Sequence, residues 1–144
     1  GSKIAITTTN GTLSISKSKA DAVKVIVGAF LNLNAIVDYL KNQPYDVLIL
    51  CAGWKGRPNL EDTLFAGAVV EKLKDEYFVG EDTAIMANRM YNEAKTDMIK
   101  YLANSSHIRR LQGLGINKDI AYCLQTDLYD IVPVLRGHEL VISK

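Results

Sequence analysis

Two short segments carry the residue types from which an anion site is built. The first, Thr7-Thr8-Thr9-Asn10-Gly11-Thr12, offers hydroxyls, an amide and glycine-freed backbone N–H groups, the donors that line concavities for phosphate-like anions. The same residues suit a β-hairpin, because Asn-Gly is a favoured two-residue turn and both flanks alternate apolar side chains, Ile4 and Ile6 before, Leu13 and Ile15 after. Composition leaves both readings open. The second segment runs from Cys51 through Gly53-Trp54-Lys55-Gly56-Arg57-Pro58 to Asn59-Leu60-Glu61-Asp62. Its glycines permit close backbone approach to a ligand, Lys55 and Arg57 offer anion contacts, and Glu61 and Asp62 are the hard oxygen ligands that Mg²⁺ takes. Structural roles compete here too. Asn59 is a good N-cap, and acidic residues in a first helical turn gain about 0.3–1 kcal/mol from the macrodipole.

Three weaker signals accompany these. Cys51 and Arg57 stand in a Cys-x5-Arg spacing like that of cysteine-dependent phosphatases, where a thiolate attacks phosphorus and the arginine grips the remaining oxygens. Cys51 also ends an apolar run, and a small buried hydrophobe is its ordinary role. Asn32 closes Gly28-Ala29-Phe30-Leu31-Asn32 as either a helix cap or a ligand-facing amide. His107, in Ser105-Ser106-His107, is a candidate proton donor to a leaving group and equally a cap or surface residue. Asp119, Cys123 and Asp127 recur every four residues, a spacing that is only geometry.

The whole chain bounds what such a site can be. Seventeen basic against sixteen acidic residues give a net charge of +1, with no basic run longer than Arg109-Arg110, so neither nucleic acid nor an anionic membrane is an expected partner. The longest apolar stretches, 25–31 and 47–54, fall short of the ~18 residues of a membrane span. Two distant cysteines and no secretory leader point to a reducing cytoplasm. The chain opens Gly1-Ser2 without Met, which reads as a cloning scar or an internal cut, leaving residues 3–144 as one domain.

The elements that must position the candidates follow from periodicity. Residues 3–9 alternate as a strand, 23–30 form a second, and the continuous apolar run 45–51 is the strand expected to be covered on both faces. A helix spanning Ala35-Ile36 and Tyr39-Leu40 must stop near Asn42, ahead of Pro44. A long amphipathic helix carries Leu60, Leu64, Ala68 and Leu73 and ends near Tyr77-Phe78. Further helices are expected at 82–94, 97–103 and 106–114, the last closed by Gly113 and Gly115, with a short one from Asn117. Residues 131–135 and 139–142 pair across Arg136-Gly137, with Pro133 at an edge or strand end. Strand-helix alternation gives an α/β fold, three layers α/β/α around a largely parallel central sheet.

Taken in order, Thr7 to Thr12, Gly28 to Asn32, Cys51-Ala52-Gly53, Leu60-Glu61-Asp62 and Ala66-Gly67 resemble the 2-phosphosulfolactate phosphatase (ComB) family. Ser106-His107, Leu111, Gly115, Asp119, Cys123, Asp127 and Val132-Pro133 keep the same order and approximate spacing. The resemblance implies a Mg²⁺-dependent acid phosphatase that hydrolyses a small anionic phosphate ester, 2-phosphosulfolactate, to sulfolactate and phosphate in coenzyme M biosynthesis. It implies that Thr9, Asn10, Gly11 and Thr12 hold substrate oxygens and that Glu61 and Asp62 form the acidic, metal-binding pair. Asp62 is then the metal ligand, and Glu61 a second ligand or a base orienting water. The residue types themselves add Lys55 or Arg57 as the contact for the substrate's second anionic group, Arg57 with bidentate geometry, Asn32 as a ligand-facing amide and His107 as the leaving-group acid. Family members also carry a segment before the Thr-Asn-Gly-Thr loop, of the type Val-Asp-Val-Leu-Arg-Ala-Thr, which has no counterpart here, so the chain resembles the C-terminal portion. The alternative expectation is therefore a non-catalytic anion-binding or assembly domain, with a homo-oligomer left open.

Overall fold

Leu33, Ile36, Val37 and Leu40 recur at three- and four-residue spacing, so the helix that carries them, α2, hides a single apolar stripe. The computed structural model describes residues 2–112 and 117–143, so Gly113 and Gly115 lie outside the described residues. In chain order it contains α1 (Gly11–Ser18), one 3₁₀ turn (Phe30–Asn32), α2 (Leu33–Lys41), α3 (Leu60–Leu73), α4 (Asp82–Ala94), α5 (Met98–Leu102), α6 (Ser106–Gln112), α7 (Asn117–Cys123), β1 (Val132–Arg136) and β2 (Glu139–Ser143). Helix α2 ends at Lys41 with Asn42 as its C-cap, as the following proline requires. Helix α3 stops at Leu73, four residues before the Tyr77 expected from its stripe.

The core is built on α2 and α3. Leu33, Leu64, Val69 and Leu102 are fully buried, and Phe30, Ile36, Ile108, Val132 and Val134 join the same cluster. Each such side chain contributes about 1.5–3 kcal/mol on burial.

Helix α4 lies against α3 at very close range, because Gly67 presents no side chain where the Ala87 carbonyl passes. A polar clamp secures the crossing. Asn88 Nδ2 and Asn92 Nδ2 donate to Glu71 Oε2 at 2.9 and 3.0 Å, and Lys74 Nζ reaches Oε1 at 3.0 Å. These donors hold the Glu71 carboxyl down at about 2, the two amides first and the ammonium after them.

Gly67→Ala is expected to destabilise the chain by about 2–3 kcal/mol and to lower Tm by roughly 6–12 °C. The added methyl meets the Ala87 backbone and, at 2.8 Å, Tyr91 Cβ, neither of which can swing aside. Intrinsic helix propensity alone predicts a gain of about 1 kcal/mol for the same change. Thermal melting therefore decides by sign, and a variant as stable as the parent would mean that the two helices are free to separate.

The sheet differs from the expected one. Chain 139–143 pairs antiparallel with 132–136, Val134 opposite Val141, through a two-residue turn in which Gly137 has φ +62°. On the other side of β1, Val27 N donates to Pro133 O at 3.0 Å and Leu135 N to Val25 O at 2.9 Å, with Ile26 opposite Val134. Part of the expected 23–30 strand thus pairs antiparallel with β1, and Pro133 lies between two neighbours instead of at an edge. Its missing N–H is tolerated near the start of the strand, and its carbonyl carries the contact to Val27.

The chain is mixed helix and strand, and a parallel central sheet is not formed among the described residues. Residues 3–9 and 45–51 run without ladder hydrogen bonds. In the latter, Val47 and Ile49 pack on the core while Leu48 is 90% exposed and Leu50 50% exposed. One face of an apolar strand is covered and the other is not. Among the described residues no helix is long and apolar enough to cross a membrane.

Candidate functional site

The two segments singled out by residue type meet in space. Asn10 leads into α1, and its side-chain Oδ1 accepts the Lys55 backbone N–H at 3.2 Å, tying the Thr-Asn-Gly-Thr loop to the Trp54 turn. The hairpin alternative at Asn10-Gly11 is replaced by a helix start. Thr8 Oγ1 accepts the Thr12 N–H at 3.2 Å, and the Thr12 hydroxyl donates back to the Thr8 carbonyl. Of the loop residues, Thr9 and Thr12 are exposed, and Asn10 and Gly11 are half-buried.

The Trp54 turn is a closed unit. Trp54 N donates to Arg57 O at 2.8 Å and Arg57 N to Trp54 O at 3.0 Å. Lys55 at φ +49° and Gly56 at φ +74° supply the two positive angles of a type I′ turn. Gly53, at φ +66°, lies under the Arg57 carbonyl where no side chain fits. Its N–H donates to Asp62 Oδ2 at 2.7 Å, so the second residue of the acidic pair anchors the loop that precedes it. Asn59 stands at the N-cap position of α3 without a side-chain cap bond.

Glu61 faces the other way, toward α6. The start of that helix is fixed by Ser105, whose buried Oγ accepts the Ile108 N–H at 3.1 Å. His107 Nδ1 then lies 2.5 Å from Glu61 Oε1 and 3.1 Å from Arg110 Nη2. Glu61 Oε1 is shielded from solvent and accepts no hydrogen bond among the described residues, His107 Nδ1 lying close to it without the alignment of one. Arg110 places its guanidinium carbon 4.1 Å from the Trp54 ring centroid, and Lys55 Nζ lies 5.6 Å from the same ring. A continuous set of contacts thus runs from Asn10 through Lys55, Trp54, Arg110 and His107 to Glu61, with Asp62 alongside.

Of the residues expected from the sequence, this set takes in Asn10, Lys55, Glu61, Asp62 and His107. Arg57 contributes backbone to the turn, and its side chain is exposed. Asn32 stands apart. It is buried, its Oδ1 accepts the Ala29 N–H at 2.8 Å, and its Nδ2 donates to Ile131 O at 3.0 Å and Val27 O at 3.4 Å. Both amide hydrogens are thereby spent on backbone carbonyls. The cap of α2 comes instead from Asp127, whose Oδ1 accepts the Asn34 N–H at 2.6 Å from beyond the end of α7. An apolar recess of about 170 Å³ beside Asn32, lined by Val27, Ala29, Leu31, Tyr129 and Ile131, contains none of the charged candidates.

Trp54 and Arg110 are the members that residue-type reasoning passed over. The available signal was the three-residue spacing of His107 and Arg110, which puts both on one helical face. Cys51 is poorly suited to thiolate chemistry. Although the residue is exposed as a whole, desolvation pushes its thiol up, and the nearby Asp62 carboxylate adds to the effect.

A Mg²⁺ ion fits the acidic pair in one respect. The shielded, unbonded Glu61 Oε1 is the kind of oxygen that a hard cation satisfies. Among the described residues no group of three or more His, Cys, Asp or Glu gathers. Mg²⁺ commonly keeps water and substrate oxygens beside one or two carboxylates, and a pair is enough for it.

A family model described as 2-phosphosulpholactate phosphatase matches residues 1–138. Curated relatives named "Probable 2-phosphosulfolactate phosphatase" include one from Thermotoga petrophila, 42% identical over 144 residues, an alignment covering all of this chain and 61% of the relative. One from Caldanaerobacter subterraneus subsp. tengcongensis is 38% identical over 138 residues, 95% of this chain and 57% of the relative. One from Synechocystis sp. is 35% identical over 137 residues, 92% of this chain and 56% of the relative. The chain therefore spans about three fifths of the length of the curated relatives it matches.

Proposed function

The chain belongs to the 2-phosphosulpholactate phosphatase family, and from that premise we propose that it carries the binding and acid-base groups of a phosphoric monoester hydrolase for a small anionic ester, 2-phosphosulfolactate or a close analogue. The observation that supports this reading best is the junction of the Asn10 loop with the Lys55 turn, next to Asp62 and the Glu61–His107 contact. A phosphate monoester needs its oxygens held, a water aligned and the leaving oxygen protonated. In this proposal the backbone N–H groups of Thr9, Asn10 and Gly11 and the Thr9 hydroxyl hold the oxygens, as amides at a helix start do, while Thr12, whose N–H and hydroxyl are both given to Thr8, braces the loop. Glu61 orients the water. His107 supplies the proton to the leaving alcohol, and its contact with Glu61 fixes the ring. Mg²⁺, held by Asp62 and Glu61, would neutralise charge on the phosphate oxygens. Lys55 and Arg57 add positive potential at the rim.

The same reading carries the finer expectations. They are release of sulfolactate in coenzyme M synthesis, a cytoplasmic setting in which Cys51 and Cys123 remain thiols, and a layered α/β/α architecture. For the last, the support is that residues 45–51 present apolar side chains on both faces.

The test is phosphate release from phenyl phosphate and from 2-phosphosulfolactate, with Mg²⁺ and then with EDTA. Hydrolysis abolished by chelation and restored by Mg²⁺ is expected. Binding of sulfolactate without any release of phosphate would leave this chain an anion-binding module.

A further inference from the structure

Arg110 is a cation without an acidic partner. Among the described residues no carboxylate pairs with it, and the one polar atom it approaches, His107 Nδ1, is also the atom that faces Glu61. One imidazole nitrogen has a single hydrogen-bonding position. With Nδ1 taking an Arg110 N–H at 3.1 Å, the guanidinium's other N–H donors have no partner among the described residues. The guanidinium carbon lies over the Trp54 indole, 4.1 Å from its ring centroid. Lys55 shares that indole at 5.6 Å, so two positive charges lie on one aromatic platform beside an acidic pair. A stacked guanidinium loses less freedom on binding an anion and presents a flat fork that suits a sulfonate or carboxylate.

We propose that Arg110, oriented by Trp54, is the specificity residue for the second anionic group of the substrate, the sulfonate or carboxylate carried next to the phosphate ester. This rests on the phosphatase reading above and assigns a new role within it: the Asn10 loop and the acidic pair act on the phosphate, and the Arg110–Trp54 unit reads its anionic neighbour. Trp54 is a positioning residue, acting through Arg110.

The experiment compares two substrates in the purified chain, 2-phosphosulfolactate with two anionic groups and phenyl phosphate with one. Arg110→Gln should raise KM for 2-phosphosulfolactate about thirtyfold, the scale of one lost charged hydrogen-bond pair, and lower kcat/KM for phenyl phosphate at least about tenfold less than for 2-phosphosulfolactate, any loss common to both substrates reporting the Arg110–His107 contact. Arg110→Lys, which keeps the charge and lacks the fork, should recover only part of the loss. Trp54→Leu should reproduce the Arg110→Gln pattern, and Trp54→Phe, which restores a ring, should rescue it. Equal losses on both substrates would overturn the proposal by moving Arg110 to the phosphate, as would no change on either. Should the wild type hydrolyse neither ester, the phosphatase reading fails, and calorimetric titration with sulfolactate decides the inference separately. Binding weakened more than about tenfold by Arg110→Gln supports it; equal binding, or none by the wild type, overturns it.

Discussion

Asp62→Asn is expected to lower Mg²⁺-dependent phosphate release by more than about tenfold while Tm stays within about 3 °C of the parent. The two readouts separate because the side chain has two separable duties. Asp62 Oδ2 accepts the Gly53 N–H at 2.7 Å, and an asparagine oxygen accepts it as well, so the loop anchor survives in neutral form. The negative charge does not survive, and on the proposed reading it is the charge that holds the cation against the phosphate. Asp62→Ala removes both duties and should lose stability as well as turnover. Titrating Mg²⁺ distinguishes weakened metal binding, which excess metal repairs, from lost chemistry, which it does not. Unchanged turnover at saturating Mg²⁺ would take Asp62 out of the site.

Helices α2 to α7 were legible in the sequence because their periods and flanking residues belong to local chemistry, whereas α1, over Gly11–Ser18, reads as the far arm of a hairpin. Residues 82–94 carry their own apolar stripe, and the stop near Asn42 follows from Pro44. The closing hairpin was legible for the same reason, since Gly137 provides the positive φ its turn needs. Strand pairing was not, because an apolar run such as 45–51 states that a segment is extended and apolar without naming its neighbour. Residues 25–27 found theirs in β1, more than a hundred positions away, and in the antiparallel sense. The site divides along the same line. The donors and carboxylates announce themselves by type, whereas the Arg110–Trp54 stack joins two residues whose separation of 56 positions no motif encodes. Asp127 is the sharpest case. Its four-residue spacing from Cys123 suggests a shared helical face, yet α7 ends at Cys123, and Asp127, at φ +58°, caps α2 instead.

Asn32→Ala is expected to cost about 3–5 kcal/mol and to lower Tm by roughly 10–20 °C. As a substrate contact, Asn32 would show its loss in KM. As a buried clamp, it shows it in stability, and every polar contact found for it is of the second kind. Its oxygen holds Ala29 N–H ahead of the 3₁₀ turn, and its amide bridges Val27 O to Ile131 O. Removing the side chain leaves an N–H and two carbonyls short of partners in a region where Asp127 N donates to Phe30 O and Tyr129 N to Leu31 O, so the damage falls on the seam joining 127–131 to 30–32. Asn32→Asp does not repair it. The second carboxylate oxygen would face the Val27 and Ile131 carbonyls as one acceptor against two, in a residue that is 6% exposed. Thermal melting of both variants, set beside KM for 2-phosphosulfolactate, decides between the roles. A variant melting within about 2 °C of the parent with a raised KM would return Asn32 to the substrate-binding set, whereas a large fall in Tm with KM unchanged at permissive temperature marks it as the residue that holds the sheet to α2.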